Sequence, residues 1–289
     1  MPLSSMNLAL PVLVIFIAVF VGAIVVANGS LFYGRLIEDE SNSRRFHSID
    51  GLRGLLALGV AFHHVTISQQ LYQTGVWTLP LSRLGIFLGR GGVAMFFMTT
   101  AFLFWNRVSY GKSPFDAVKF LSSRVRRLAP MYLVVSIAAI VTALAVTHFR
   151  LAVTWTDLLS QMFSWLLFTV PGTPDINGLP KTFVINGVFW SLIYEWKFYL
   201  LLPLLAVFKS RSGRLLLCII ASLYISLLSE MKVEWFFLTG ALAAAVVQNE
   251  KFCALAKRPY ASIVALLFIG ATAVLVPLCY TIGKRAANP

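Results

Sequence analysis

Two side chains, Arg53 and His64, have the types and the spacing to do chemistry within a membrane. They lie in Phe46–Val65, FHSIDGLRGLLALGVAFHHV, where an arginine enters an apolar stretch and a His-His pair follows inside it. On an α-helix the step from Arg53 to His64 turns through ~1100°, leaving both side chains within ~20° of one face. The same step rises roughly 16 Å, about half a hydrocarbon core. Arg53 then sits at a membrane surface while His64 reaches toward the midplane. His63 falls ~80° from the Arg53 direction. Ionisable groups at such depth are costly and by default suggest function.

Imidazole, with its ordinary pKa near neutrality, makes His64 a natural proton acceptor; a buried histidine bonded to a neighbouring helix is the plainer reading. A guanidinium forks bidentately onto phosphate oxygens and keeps its charge, so Arg53 can grip an anion or simply anchor the helix at the surface. Arg124 and Arg127 are helical i,i+3 neighbours facing one water layer, with the same two readings. Glu195 stands in an apolar helix beside Trp190, Trp196, Lys197 and Tyr199. A carboxylate there must pair, protonate or face a water-filled cavity, and Tyr199, one turn later, is on its side of the helix. Trp190 and Trp196 could stack on a ring-shaped ligand or belong to an interfacial aromatic belt.

The elements that must position these groups are membrane helices. Of 289 residues, 58% are hydrophobic and 12% charged, with mean hydropathy +0.81. A soluble domain of this length needs more charge to cover its surface. The net charge of +13 does not point to nucleic acid, because the cations fall in short clusters between apolar runs: Arg44-Arg45, Arg124–Arg127, Lys209–Arg214 and Lys251–Arg258. That is the positive-inside distribution, and it also suits anionic headgroups or an anionic substrate. Cys218, Cys253 and Cys279 show no metal-type spacing and the histidines form no zinc set, so no metal is expected.

Leu8–Ala27 is an uncharged run long enough to span a bilayer, followed by the first basic cluster. The charge bias puts the N-terminus outside and residues 35–50 in the cytoplasm. Further spans are expected at about Ser48–Gln69, Gly85–Trp105, Leu128–His148, Val188–Phe208, Leu215–Ser229, Val233–Gln248 and Tyr260–Ile282. Asn106–Arg127 is expected to lie on the cytoplasmic side. Leu158–Val170 is short for a crossing and reads as a re-entrant or interfacial helix, leaving Pro171–Asn186 outside. The fold class is thus all-α: a polytopic transmembrane bundle of about eight spans plus that partial insertion. Residues 1–45 form an added anchor and cytoplasmic linker, and residues 46–289 one membrane domain. Gly89–Gly92, GRGG, lacks the strand and Lys-Ser/Thr of a phosphate loop and reads as a turn where a helix begins. No internal repeat of the kind found in many transporters is visible.

Four motifs, in order, resemble the acyltransferase-3 family of integral membrane acyltransferases. They are Asp50-Gly51-Leu52-Arg53 with His64, and Gly92-Val93-Ala94-Met95-Phe96-Phe97. The third is Phe120-x-x-x-Arg124-x-x-Arg127-x-x-Pro130-x-Tyr132, and the fourth Trp190-Ser191-Leu192-x-x-Glu195-x-x-Phe198-Tyr199 leading to Pro203. Thr100 and Ala101 depart from the family's Ser-Gly, the N-terminal span is extra, and the family normally continues through further helices.

The resemblance implies O-acylation of cell-envelope glycans or related hydroxyl compounds from cytoplasmic acyl-CoA, acetyl being the usual group, with no permanently bound cofactor. It makes Arg53 and His64 the functional pair. His64 would be the base for the acceptor hydroxyl, and Arg53 would hold a phosphate or the thioester end of the donor. Arg124 and Arg127 would hold its nucleotide end. Glu195 would orient His64 or bind acceptor hydroxyls, with Trp190, Tyr199 and His63 as substrate contacts. The expected location is a bacterial inner membrane, crossed several times. A transporter with His64 and Glu195 as a proton relay, and a catalytically reduced membrane partner, are the alternatives.

Overall fold

The computed structural model describes residues 9–30, 38, 47–79, 83–111, 114–208, 210–268 and 270–271. Arg44, Arg45, Lys112, Lys209, Cys279 and the C-terminal part of the last expected span lie outside them. Among the described residues all regular structure is helical. In order come α1 (Ala9–Gly29), α2 (His47–Thr74), α3 (Leu84–Tyr110), α4 (Ala117–Val146), α5 (Trp155–Leu166), α6 (Phe189–Leu205), α7 (Arg211–Leu227), α8 (Glu234–Val246), α9 (Glu250–Ala256) and α10 (Pro259–Phe268). The chain divides into two compact units, one from Met1–Thr100 with Leu242–Pro289 and one from Ala101–Ala241.

Among the described residues two helices, α3 and α4, are long and apolar enough to cross a membrane. On α4, Phe120, Tyr132, Ser136, Ala139, Ile140 and Ala143 are buried while Met131, Val134, Ile137 and Val141 are 51–70% exposed. The small residues on the buried face let neighbours approach closely, and an apolar outer face suits a hydrocarbon surround.

Several element limits differ from expectation for local reasons. Asp116 caps α4, its carboxylate accepting from the Lys119 N–H at 2.9 Å. The helix therefore begins at Ala117, ahead of the expected span at Leu128, and Phe120, Arg124 and Arg127 ride on its first turns. GRGG starts no helix: Phe87–Gly91 is a π-helical turn inside α3. The helix of Leu158–Val170 begins earlier, at Trp155, where Thr154 accepts from the Asp157 N–H at 3.2 Å. With 12 residues α5 measures ~18 Å, shorter than a ~30 Å hydrocarbon core.

The core of the second unit is built on Tyr132. Its ring stacks between Phe168 and Phe189, at 4.5 and 4.7 Å between centroids, and its hydroxyl donates to the Trp165 carbonyl. Asn177 clasps the Pro171–Asn186 loop to the rest. It is 1% exposed; its Nδ2 donates to Thr147 Oγ1 at 2.7 Å and to the Arg150 carbonyl at 2.8 Å. Its Oδ1 accepts from the Ala152 N–H at 2.9 Å, and its own N–H donates to Gln161 Oε1 at 2.9 Å. Asn177 has φ +50°, a conformation that asparagine tolerates better than most side chains. Asn177→Leu strips the three side-chain bonds, leaves buried groups unsatisfied and strains the backbone. The expected loss is about 2–4 kcal/mol, read as a lower midpoint in detergent unfolding.

Candidate active site

The first cluster lies in the first unit, where α2 packs on the π-turn of α3. A Cβ on Gly89 would collide with the His63 ring, one on Gly92 would come within 2.8 Å of Val60, and one on Gly59 within 3.2 Å of Leu88. These glycines let the helices close up. His63 fills the seam, 7% exposed, with Nδ1 2.7 Å from the Gly85 carbonyl oxygen. A carbonyl can only accept, so Nδ1 carries a proton and, in the neutral ring, Nε2 is left as the acceptor.

His64 is half-buried beside it. Its ring meets His63 edge-on at 5.4 Å and 78°, and meets the Trp77 indole at 6.3 Å with a 32° tilt. Arg53 is half-buried, its guanidinium 6.0 Å from the centre of the Phe96 ring. The first and second signatures therefore touch through Arg53 and Phe96. Thr100, fully buried, has a hydroxyl without a hydrogen-bond partner among the described residues.

The second cluster lies in the second unit. Tyr199, 2% exposed, donates to Glu195 Oε2 at 3.1 Å, the pairing that their spacing on α6 anticipates. Its ring meets Phe104, Phe120 and Trp196 at 5.5, 5.8 and 5.8 Å. Arg124 is half-buried over the same floor, 5.0 Å from Phe104 and 5.9 Å from Phe120. Cation–π attraction holds it there. Arg127 is exposed, whereas Arg124 is half-buried.

Trp190 does not join this cluster. It is 38% exposed and pairs with Tyr194 at 6.1 Å, where the Lys197 ammonium lies 4.9 Å from the Tyr194 ring centre. Trp196 is the tryptophan beside Tyr199. Arg107, Asp116 and Lys119, with Pro114 and Phe115, line a cavity of about 220 Å³ between α3 and α4.

Sequence reading did not find Trp77, Gly85 or Phe104. GRGG was the one visible signal for the π-turn. Such turns are frequent at functional sites. Among the described residues no group of His, Cys, Asp and Glu side chains could hold a metal ion.

The family model for the acyltransferase domain of the acyltransferase-3 family matches residues 46–288. The chain belongs to that family. A protein of the Acidianus two-tailed virus named as an acetyltransferase, ORF330, is 27% identical over 155 residues, 53% of this chain and 39% of the viral protein. The exopolysaccharide production protein ExoZ of Rhizobium meliloti is 27% identical over 149 residues, 52% of this chain and 43% of ExoZ. The match thus spans about two-fifths of each relative's length. No solved structure matches the chain.

Proposed function

We propose that the chain is a multi-pass membrane O-acyltransferase of a bacterial plasma membrane, with about eight spans. It moves an acyl group, acetyl in the first instance, from cytoplasmic acyl-CoA to a hydroxyl of a glycan or related acceptor. Membership of the acyltransferase family carries this reading, and the name of the ExoZ relative favours a polysaccharide acceptor. The placement of Arg53 and His64 on one helix, beside the second signature, supports it.

In the proposed reaction the acceptor hydroxyl gives its proton to His64 as its oxygen attacks the thioester carbonyl carbon. The carbon–sulfur bond breaks, and the CoA thiolate leaves and takes up the proton. Arg53 grips a donor phosphate or the thioester end, and Arg124 and Arg127 hold the nucleotide end. Arg107 and Lys119, at the 220 Å³ cavity, add cationic contacts for its phosphates. Glu195, held by Tyr199, binds acceptor hydroxyls, and His63 fixes the seam from which His64 projects. Trp190 offers a ring face to the acceptor.

The test is transfer of radiolabel from acetyl-CoA to polysaccharide by the purified protein in lipid vesicles. Label in the polysaccharide that depends on the protein supports the reading; its absence with every acceptor overturns it. Arg53→Lys sharpens the donor role. A fork on phosphate loses bidentate contact, so donor KM is expected to rise about 10-fold, whereas a surface anchor tolerates lysine.

A further inference from the structure

The segment after α2 does not run on from the helix; it doubles back along it. Gly75 takes φ +70° and its N–H donates to the Leu71 carbonyl at 2.7 Å, closing the helix end. Thr74 Oγ1 donates to the Gln70 carbonyl at 2.8 Å and accepts from the Val76 N–H at 3.3 Å. Gln70 Nε2 then donates to Thr78 Oγ1, fastening the returning strand of chain to the helix it has just left. Trp77 lies between these fastenings, half-buried, with its indole 6.3 Å from the His64 ring. Its neighbours Val76 and Thr78 are exposed. The loop is thus tied in a form that brings one large aromatic face to the imidazole.

That contact is at the long end of the range in which ring pairs attract, ~4.5–7 Å, and the 32° tilt leaves the rings splayed. Indole and imidazole thus lie close enough for one small ligand to touch both. A tryptophan face beside a proton acceptor suits a ligand that has both an apolar C–H face and hydroxyls at its rim, which describes a pyranose ring.

We propose that Trp77 is the acceptor-side wall of the site, stacking a sugar ring so that one of its hydroxyls reaches His64. This rests on the acyltransferase reading and deepens it by naming a cyclic, carbohydrate acceptor and the residue that selects it. Trp77 acts by binding and positioning, and takes no proton.

The experiment uses the full chain in vesicles, with methyl glucoside and methyl galactoside as ring acceptors, glycerol as an open-chain acceptor, and acetyl-CoA as donor. Trp77→Ala is expected to raise KM for the glycosides roughly 10-fold, with donor KM and glycerol transfer unchanged, and Trp77→Phe to stay within about 3-fold. Equal loss on glycerol and glycosides, a rise in donor KM, or no change at all overturns the proposal. A residue that merely anchors the helix in the interface gives one of those results. Binding is read separately, as quenching of tryptophan fluorescence by the glycosides in wild type minus Trp77→Phe. Quenching in a wild type that transfers no acetyl keeps the Trp77 site and sinks the transferase reading. A difference of zero overturns the Trp77 site whatever the activity.

Discussion

His64→Ala is expected to lower kcat for acyl transfer by about 10²–10⁴-fold, the contribution typical of a positioned general base. Donor KM should move little, since the donor grip is assigned to Arg53 and to the arginines of α4. The measurement is label transfer from acetyl-CoA in vesicles, with amounts normalised to folded protein by size exclusion in detergent. His64 is half-buried and its ring meets those of His63 and Trp77, so removing it opens little of the core. Loss of activity with a wild-type elution profile therefore reports chemistry. Full activity in His64→Ala would remove the base from the mechanism. A proton relay in a transporter would instead show solute flux with no label transferred.

The second large effect comes from a residue without a side chain. Gly89→Ala drives a methyl group into the His63 ring, and the ring has little room to yield because Gly85 holds its Nδ1 at 2.7 Å. Overpacking of this kind costs about 1–3 kcal/mol, and a lost buried hydrogen bond adds about 1 kcal/mol. The substitution should lower the unfolding midpoint and also reduce activity, because His64 follows His63 on the same turn. His63→Ala in the same chain removes the obstacle. The double variant Gly89→Ala/His63→Ala is expected to be less destabilised than the sum of the single variants by about 1–2 kcal/mol. Strict additivity would show that Gly89 and His63 do not bear on each other.

How much of this could be read from residues alone differs by element. The helix carrying Arg53 and His64 follows from apolar content and period, and the structure extends it only at its C-terminal end, to Thr74. The Glu195–Tyr199 pair follows from the i,i+4 rule, since both partners sit on one helix and nothing tertiary is needed to bring them together. Contacts across elements were not legible. Arg124 reads as a helical neighbour of Arg127 ahead of the span that hydropathy starts only at Leu128, with no sign of its aromatic partners. A single capping bond from Asp116 carries the helix back over it, and two aromatic rings then draw the guanidinium inward. Trp77 carries no signal in the sequence, since the return of its loop depends on a bond between Gln70 and Thr78 that no periodicity announces. GRGG misleads because a π-turn carries no pattern distinct from that of a tight turn rich in glycine.

The π-turn has a consequence for phase. Phe87–Gly91 winds with an i→i+5 bond where an α-helix would use i→i+4, so α3 holds one residue in excess before the aromatic signature begins. Each residue advances the azimuth of a helix by ~100°, and the surplus therefore dials Phe96 to the bearing at which it meets Arg53. An ancestor lacking that residue would have aimed the same aromatic elsewhere. The motif is thus a combination lock as well as a set of letters: its spelling and the count of residues ahead of it have to be inherited together.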